Sequence, residues 1–117
     1  MSDQELIDQD RINMLRSDLE EDFSDAYDEL LSLFQDTFDQ LHPKMIEQAA
    51  NEDFTGLSQT SHQLKGSSAN LGLATIHKLS KEIEDLCKEN TSDNLTSRVD
   101  KLKEVYAKSI RAAKENI

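Results

Sequence analysis

The chain holds one cysteine, one proline, three glycines and no tryptophan in 117 residues. A lone Cys87 excludes an internal disulfide and any all-cysteine metal knuckle. Valine is scarce as well, with 2 Val against 15 Leu and 7 Ile. Strands favour Val, Thr and aromatics, and hairpins need Gly, Asn-Gly or Pro turns, so this poverty argues against sheet and for an all-α fold. Bases are few: 13 Lys and Arg face 24 acids, a net charge of −11. Without clustered cations there is nothing to grip a phosphate backbone, so nucleic acid is not an expected partner. No run approaches the roughly 18 apolar residues of a membrane span. Met1-Ser2-Asp3-Gln4-Glu5 lacks the basic flank and apolar stretch of a secretion signal, which predicts a cytoplasmic, reducing location. The length suits a single domain, 1–117, with enough chain to bury a core.

What is present is helical periodicity. Ile12, Leu15 and Leu19 mark a short N-terminal helix over about 8–21. Tyr27, Leu30, Leu31, Phe34, Phe38, Leu41, Met45 and Ala49 sustain steps of three and four over about 24–50. His42-Pro43 interrupts that stripe, which predicts a kink carrying a solvated histidine. Asn51-Glu52-Asp53 breaks the pattern, with Asp53 an N-cap candidate. Phe54, Leu57, Ser61, Leu64, Ser68 and Leu71 share a face over about 54–71, and Gly72 follows where a C-terminal cap wants left-handed backbone. Ile76, Leu79, Ile83 and Leu86 mark a helix over about 74–90; Cys87 at its edge reads as a small packed hydrophobe. Leu95, Val99, Leu102, Tyr106, Ile110 and Ala113 mark the last helix, about 93–115, with Ser92 or Asp93 as cap. Four long amphipathic helices on short connections predict an antiparallel four-helix bundle with one additional short helix. Each stripe has a partner within the bundle, so a monomer is expected; Met14 and Leu33 lie off the stripes and are candidates for a docking patch.

Charge is uneven. Residues 1–53 carry 16 acids and 3 bases, a net of −13, whereas residues 54–117 carry 8 acids and 10 bases, a net of +2. Two readings stand: a solvated face that keeps the protein soluble, or an acidic adaptor surface that steers a basic partner without any group transfer.

One segment carries chemistry: Ser61-His62-Gln63-Leu64-Lys65-Gly66-Ser67-Ser68-Ala69-Asn70-Leu71-Gly72. At 100° per residue His62 points about 140° away from Leu57, the centre of the buried face, and so toward solvent. Its helical neighbours are Ser58, Lys65, Gly66 and Ala69, one cation and three small residues. Glycine inside a helix costs about 1 kcal/mol relative to alanine, and a bare backbone beside an imidazole lets another molecule approach. On these residues alone His62 is either an ordinary surface histidine with a glycine nearby or a nucleophile for phosphoryl groups, with Lys65 offsetting the charge on the oxygens. No residue three before His42, His62 or His77 (Asp39, Gln59 and Ala74) supplies the Glu-x-x-His pair of a di-metal bundle, so no metal site is expected. No phosphate-binding glycine loop, Walker lysine or Gly-x-Ser-x-Gly elbow occurs either, so no ATP site is expected in the chain. His77 reads as an exposed residue that could flank the His62 face.

His62-Gln63-Leu64-Lys65-Gly66-Ser67-Ser68, then Asn70-Leu71-Gly72, resembles the signature of the histidine-containing phosphotransfer (HPt) domains of two-component phosphorelays. Leu79-Ser80-Lys81-Glu82-Ile83-Glu84 is similar to that family's next helix, and the likeness spans about residues 10–115. Leu73 and Thr75 depart slightly from the family pattern. The resemblance implies a phosphocarrier rather than an enzyme with turnover. His62 would be phosphorylated at Nε2, Lys65 would contact phosphoryl oxygens, and Gly66 would keep the approach open. Glu84 would accept from Nδ1–H; the competing reading leaves it on a solvated face. Gln59, Ser67 and Lys88 complete the candidate set, although packing accounts for Ser67 and plain exposure for Lys88. The implied partners are response-regulator receiver domains, which bring the aspartate, a lysine and Mg²⁺, and a hybrid sensor histidine kinase; the carrier itself needs no cofactor.

Overall fold

A computed structural model describes residues 6–117; the expectation drawn from residues 1–5 lies outside them. Among the described residues every regular element is helical: α1 (Gln9–Leu19), a 3-10 turn (Glu20–Asp22), α2 (Phe23–Ala50), α3 (Phe54–Asn70), α4 (Ala74–Lys88) and α5 (Leu95–Lys114). The last four form an antiparallel bundle in which α2 packs on α3, α3 on α4, α4 on α5, and α5 closes back onto α2. The molecule is elongated, 46 × 25 × 20 Å, because α2, at 28 residues and 1.5 Å per residue, spans about 42 Å.

The predicted stripes supply the core. Tyr27, Leu31, Phe38 and Met45 of α2, Leu57 and Leu64 of α3, Ile76 and Ile83 of α4, and Leu102 of α5 are fully buried. Leu30 departs from its stripe and is 39% exposed. It lies 100° around the helix from Leu31, and only one of two adjacent leucines can centre on the core. Small polar residues fill the rest. Ser61, Ser68 and Ser80 have no exposed surface; Ser68 returns its hydroxyl to Leu64 and Lys65 carbonyls and Ser80 to Ile76. Such small side chains let α3 and α4 approach closely.

His42 corrects the sequence reading. It is not solvated: its ring is buried, stacks on Phe38 with centroids 5.1 Å apart, and donates from Nε2 to the Val99 carbonyl at 2.8 Å. α2 runs unbroken through Pro43. Phe38 stacks in turn on Tyr106 of α5 at 3.9 Å, so a column of three rings joins α2 to α5.

Caps explain where helices stop. Asp53 accepts from Gly56 N–H at 3.0 Å and starts α3. α3 ends in a Schellman motif, with Leu73 N–H on Ser68 O and Gly72 N–H on Ala69 O. Neither Ser92 nor Asp93 caps α5, as was expected of them; it begins after Asn94, which is left-handed at φ 62 and makes no side-chain cap bond. The N-terminal segment is tied to the α3–α4 turn. Three successive carbonyls there accept from it or from α2: Asn70 O from Arg11 Nε (2.9 Å), Leu71 O from Tyr27 OH (2.6 Å) and Gly72 O from Asp8 N (2.8 Å).

Candidate functional site

α3 carries His62 on its outer face, where the side chain is 69% exposed. Antiparallel packing brings Glu84 of α4 alongside, with its side chain only 4% exposed. His62 Nδ1–H donates to Glu84 Oε2 at 2.7 Å, which leaves Nε2 as the ring nitrogen with a free lone pair. Glu84 is therefore not on a solvated face, and one of the two readings of it falls.

The carboxylate draws on two lysines as well. Lys65 Nζ, one turn along α3, reaches Glu84 Oε1 at 2.6 Å, and Lys88 Nζ, one turn along α4, lies 3.8 Å from Oε2. Burial would push the Glu84 carboxyl up; the hydrogen bonds from Lys65 and His62, with the charges of Lys65 and Lys88, outweigh it and hold the group below its usual range. Lys65 thus points at the Glu84 carboxylate, with its side chain only partly exposed.

Gly66 lies one turn past His62, and a Cβ built there would meet nothing within 4 Å. No contact inside the protein requires this glycine. The remaining candidates fall on two flanks. Gln59 and Lys88 line a groove of about 370 Å³ with Ser58 and Thr55. Ser67 lies on the opposite flank, in a groove of about 210 Å³ between α2 and α3 shared with Leu30, Leu33 and Thr37, and is not part of the His62–Glu84 cluster. Leu30 is the surface residue that sequence periodicity missed, because it was assigned to the core. His77 is half-buried rather than simply exposed, donating from Nδ1 to the Lys65 carbonyl at 3.1 Å. Met14, like Leu33, is 57% exposed. Cys87 is buried, which pushes its thiol up to about 11, with the Asp53 and Glu84 charges adding to the effect. Among the described residues no group of three or more His, Cys, Asp or Glu is placed to hold a metal, and no helix is long and apolar enough to cross a membrane.

These features define a class: an all-helical bundle that presents one imidazole, its tautomer set by a buried carboxylate, beside an unobstructed stretch of backbone. The family described as "Hpt domain" matches residues 29–112, and the chain belongs to that family, the histidine phosphotransfer proteins of two-component phosphorelays. The crystal structure of histidine-containing phosphotransfer protein B (HptB) from Pseudomonas aeruginosa PAO1 is similar with a TM-score of 0.75, over 95% of this chain and 93% of that one. At 18% identity this likeness carries the fold. No curated protein matches the sequence.

Proposed function

We propose that His62 is the phosphoryl acceptor of a phosphocarrier that takes the group from the aspartyl phosphate of one receiver domain and passes it to another. The observation that carries this reading is the 2.7 Å bond from His62 Nδ1–H to Glu84 under a ring that is otherwise 69% exposed. The Nε2 lone pair attacks phosphorus, the N–P bond forms, and the P–O bond to the aspartate breaks with its electron pair leaving on the carboxylate. The proton stays on Nδ1, so the ring becomes cationic as it takes up the phosphoryl group, and the Glu84 anion sits against that developing charge. Reversal follows the same path, which suits a carrier between two donors of similar reactivity. The chain supplies a nucleophile and a docking face; the receiver supplies the aspartate and the Mg²⁺.

The docking face we assign runs from Gly66 across Ser67 to the apolar groove at Leu30 and Leu33, which lies on the open side of α3. The protein works on this reading as a monomer in the cytoplasm, partnered by receivers and by the kinase that feeds them, with no turnover of its own. The test is incubation with a radiolabelled phospho-receiver. Label should appear as an acid-labile, base-stable phosphoramidate and be absent from His62→Gln; label retained on that variant overturns the assignment.

A further inference from the structure

The groove between α2 and α3 has two unlike borders. Leu30 and Leu33, 39% and 57% exposed, line it with Thr37 on the α2 side. Ser67 and Asn70 line it without charge on the α3 side. At 100° per residue Leu30 and Thr37 lie about 60° and 40° from Leu33 in one sense, toward α3. Glu29, Asp36 and Asp25 lie about 40°, 60° and 80° from it in the other sense. All three acids are exposed, and Glu29 and Asp36 are each one turn from Leu33. The apolar groove thus has an acidic outer edge and an uncharged inner one.

Nothing in the chain neutralises that edge. The ion pairs among the described residues use Glu82, Glu84 and Glu104, and none of these three acids. The cations of the N-terminal half are engaged or distant. Arg11 donates to the Asn70 carbonyl, and Arg16 lies over Phe23 and donates to Asn116. Lys44 is about 16 Å along α2 from Leu33. Asp25 and Glu29, one turn apart, repel each other. A row of like charge beside exposed leucines is complemented by a partner that brings both apolar surface and cations. A second copy of the chain does not fit, because a twofold pairing through this groove would set the same acidic row against itself. The groove also opens at Ser67, about 7.5 Å along α3 from His62, so a domain seated there reaches the imidazole.

We propose that this groove takes receiver domains whose docking face carries an apolar protrusion bordered on one side by Lys or Arg, and that Asp25, Glu29 and Asp36 select and orient them. This rests on His62 being the acceptor and on the docking face assigned above, and it adds the kind of receiver that face admits. A one-sided edge sets which way round the receiver sits, and it disfavours receivers whose docking face is acidic.

The experiment uses the full chain and the radiolabelled phospho-receiver that labels it fastest, with the receiver concentration varied at 20 and 500 mM NaCl. Glu29→Gln/Asp36→Asn removes two charges from the edge. Asp28→Asn/Asp39→Asn removes two from the same helix, about 140° and 120° from Leu33. At 20 mM NaCl the edge variant should need about tenfold more receiver for half-maximal rate, with the rate at saturation unchanged and the difference closing at 500 mM. The control variant should change by less than about twofold, and Leu33→Ala should weaken docking at both salt concentrations. Equal losses in the edge and control variants overturn the proposal, since net charge alone would then steer. So does parent docking that tightens with salt, which would mean an acidic partner face, and so does parent-like docking by Leu33→Ala. A parent that sediments as a dimer, with Leu33→Ala a monomer, would give the groove to a second copy and overturn it as well. His62→Gln runs alongside: label retained there sinks the acceptor assignment itself, a failure distinct from that of the edge.

Discussion

Glu84 ties stability to chemistry at a single side chain. Its carboxyl is held below the ordinary 4.5 against the pull of burial, chiefly by the hydrogen bonds from Lys65 and His62. A carboxyl with a depressed folded value contributes stability that is present above its unfolded value and lost as pH falls through the folded one. Urea titrations at pH 7, 5 and 3.5 should therefore show the gap between the parent and Glu84→Gln narrowing toward the acid end; a gap that stays constant would mean the carboxylate's charge adds nothing. Gly66 permits a second residue-level comparison. With no atom within 4 Å of its would-be Cβ, Gly66→Ala should stabilise the protein by about 0.5–1 kcal/mol in urea. Gly66→Leu should keep the circular dichroism spectrum yet slow phosphoryl acceptance about 100-fold by holding the receiver off. Transfer unchanged in Gly66→Leu would remove the open approach as the glycine's purpose. Both features were legible in the sequence in part: the wheel placed His62 and Gly66 outside. It could not place Glu84, 22 residues away on another helix, without the family resemblance. His42 was misread because a histidine before proline looks like a break, while nothing local announces the ring of Phe38 or the carbonyl of Val99 that bury it.

At the level of elements, the segment after the histidine helix does structural work distinct from chemistry. Gly72 sits at φ +74, and a Cβ there would come 3.0 Å from Asp8 O and 3.0 Å from Ile12 Cγ1. Backbone geometry and close approach both select glycine, because the N-terminal segment lies on this turn. Gly72→Ala should cost about 2 kcal/mol in urea unfolding, with His62 still able to accept label in the folded fraction; a neutral substitution would mean the N-terminal segment is not seated as described. The end of α3 was readable because Gly72 and Leu73 have the types a Schellman motif demands, and Asp53 was readable because a carboxylate three residues before a free N–H is a local arrangement. The start of α5 was not. Asn94 takes the left-handed position, and Leu95 N–H goes to the Ser92 carbonyl, an outcome set by the path from α4 rather than by the side chains of Ser92 and Asp93. Periodicity likewise found the stripes but overfilled that of α2 with Leu30, since a run of step-three and step-four matches does not say where the core ends.

Across the whole molecule the acids fall into two electrostatic regimes. Residues 1–53 carry a net −13, and residues such as Asp25, Asp28, Glu29 and Asp36 of α2 are exposed, so they repel one another through water and weaken the compact state. That repulsion is screened within about 10 Å at 0.1 M salt. Glu84 is buried among its partners, where salt reaches poorly. The solvated pairs Arg98–Glu82 and Lys101–Glu104, at 3.0 and 3.5 Å, are the attractive contacts that salt would weaken, and pairs of that kind contribute about 0–1 kcal/mol each. With many exposed acids against few exposed pairs, screening should remove more repulsion than attraction. Raising NaCl from 20 to 500 mM, about a fivefold shortening of the Debye length, should lift the melting temperature measured by circular dichroism. The rise should persist in Glu84→Gln, because the buried carboxylate is not its source. A melting temperature that falls with salt would place the balance with the surface ion pairs and make the acidic half electrostatically neutral for folding.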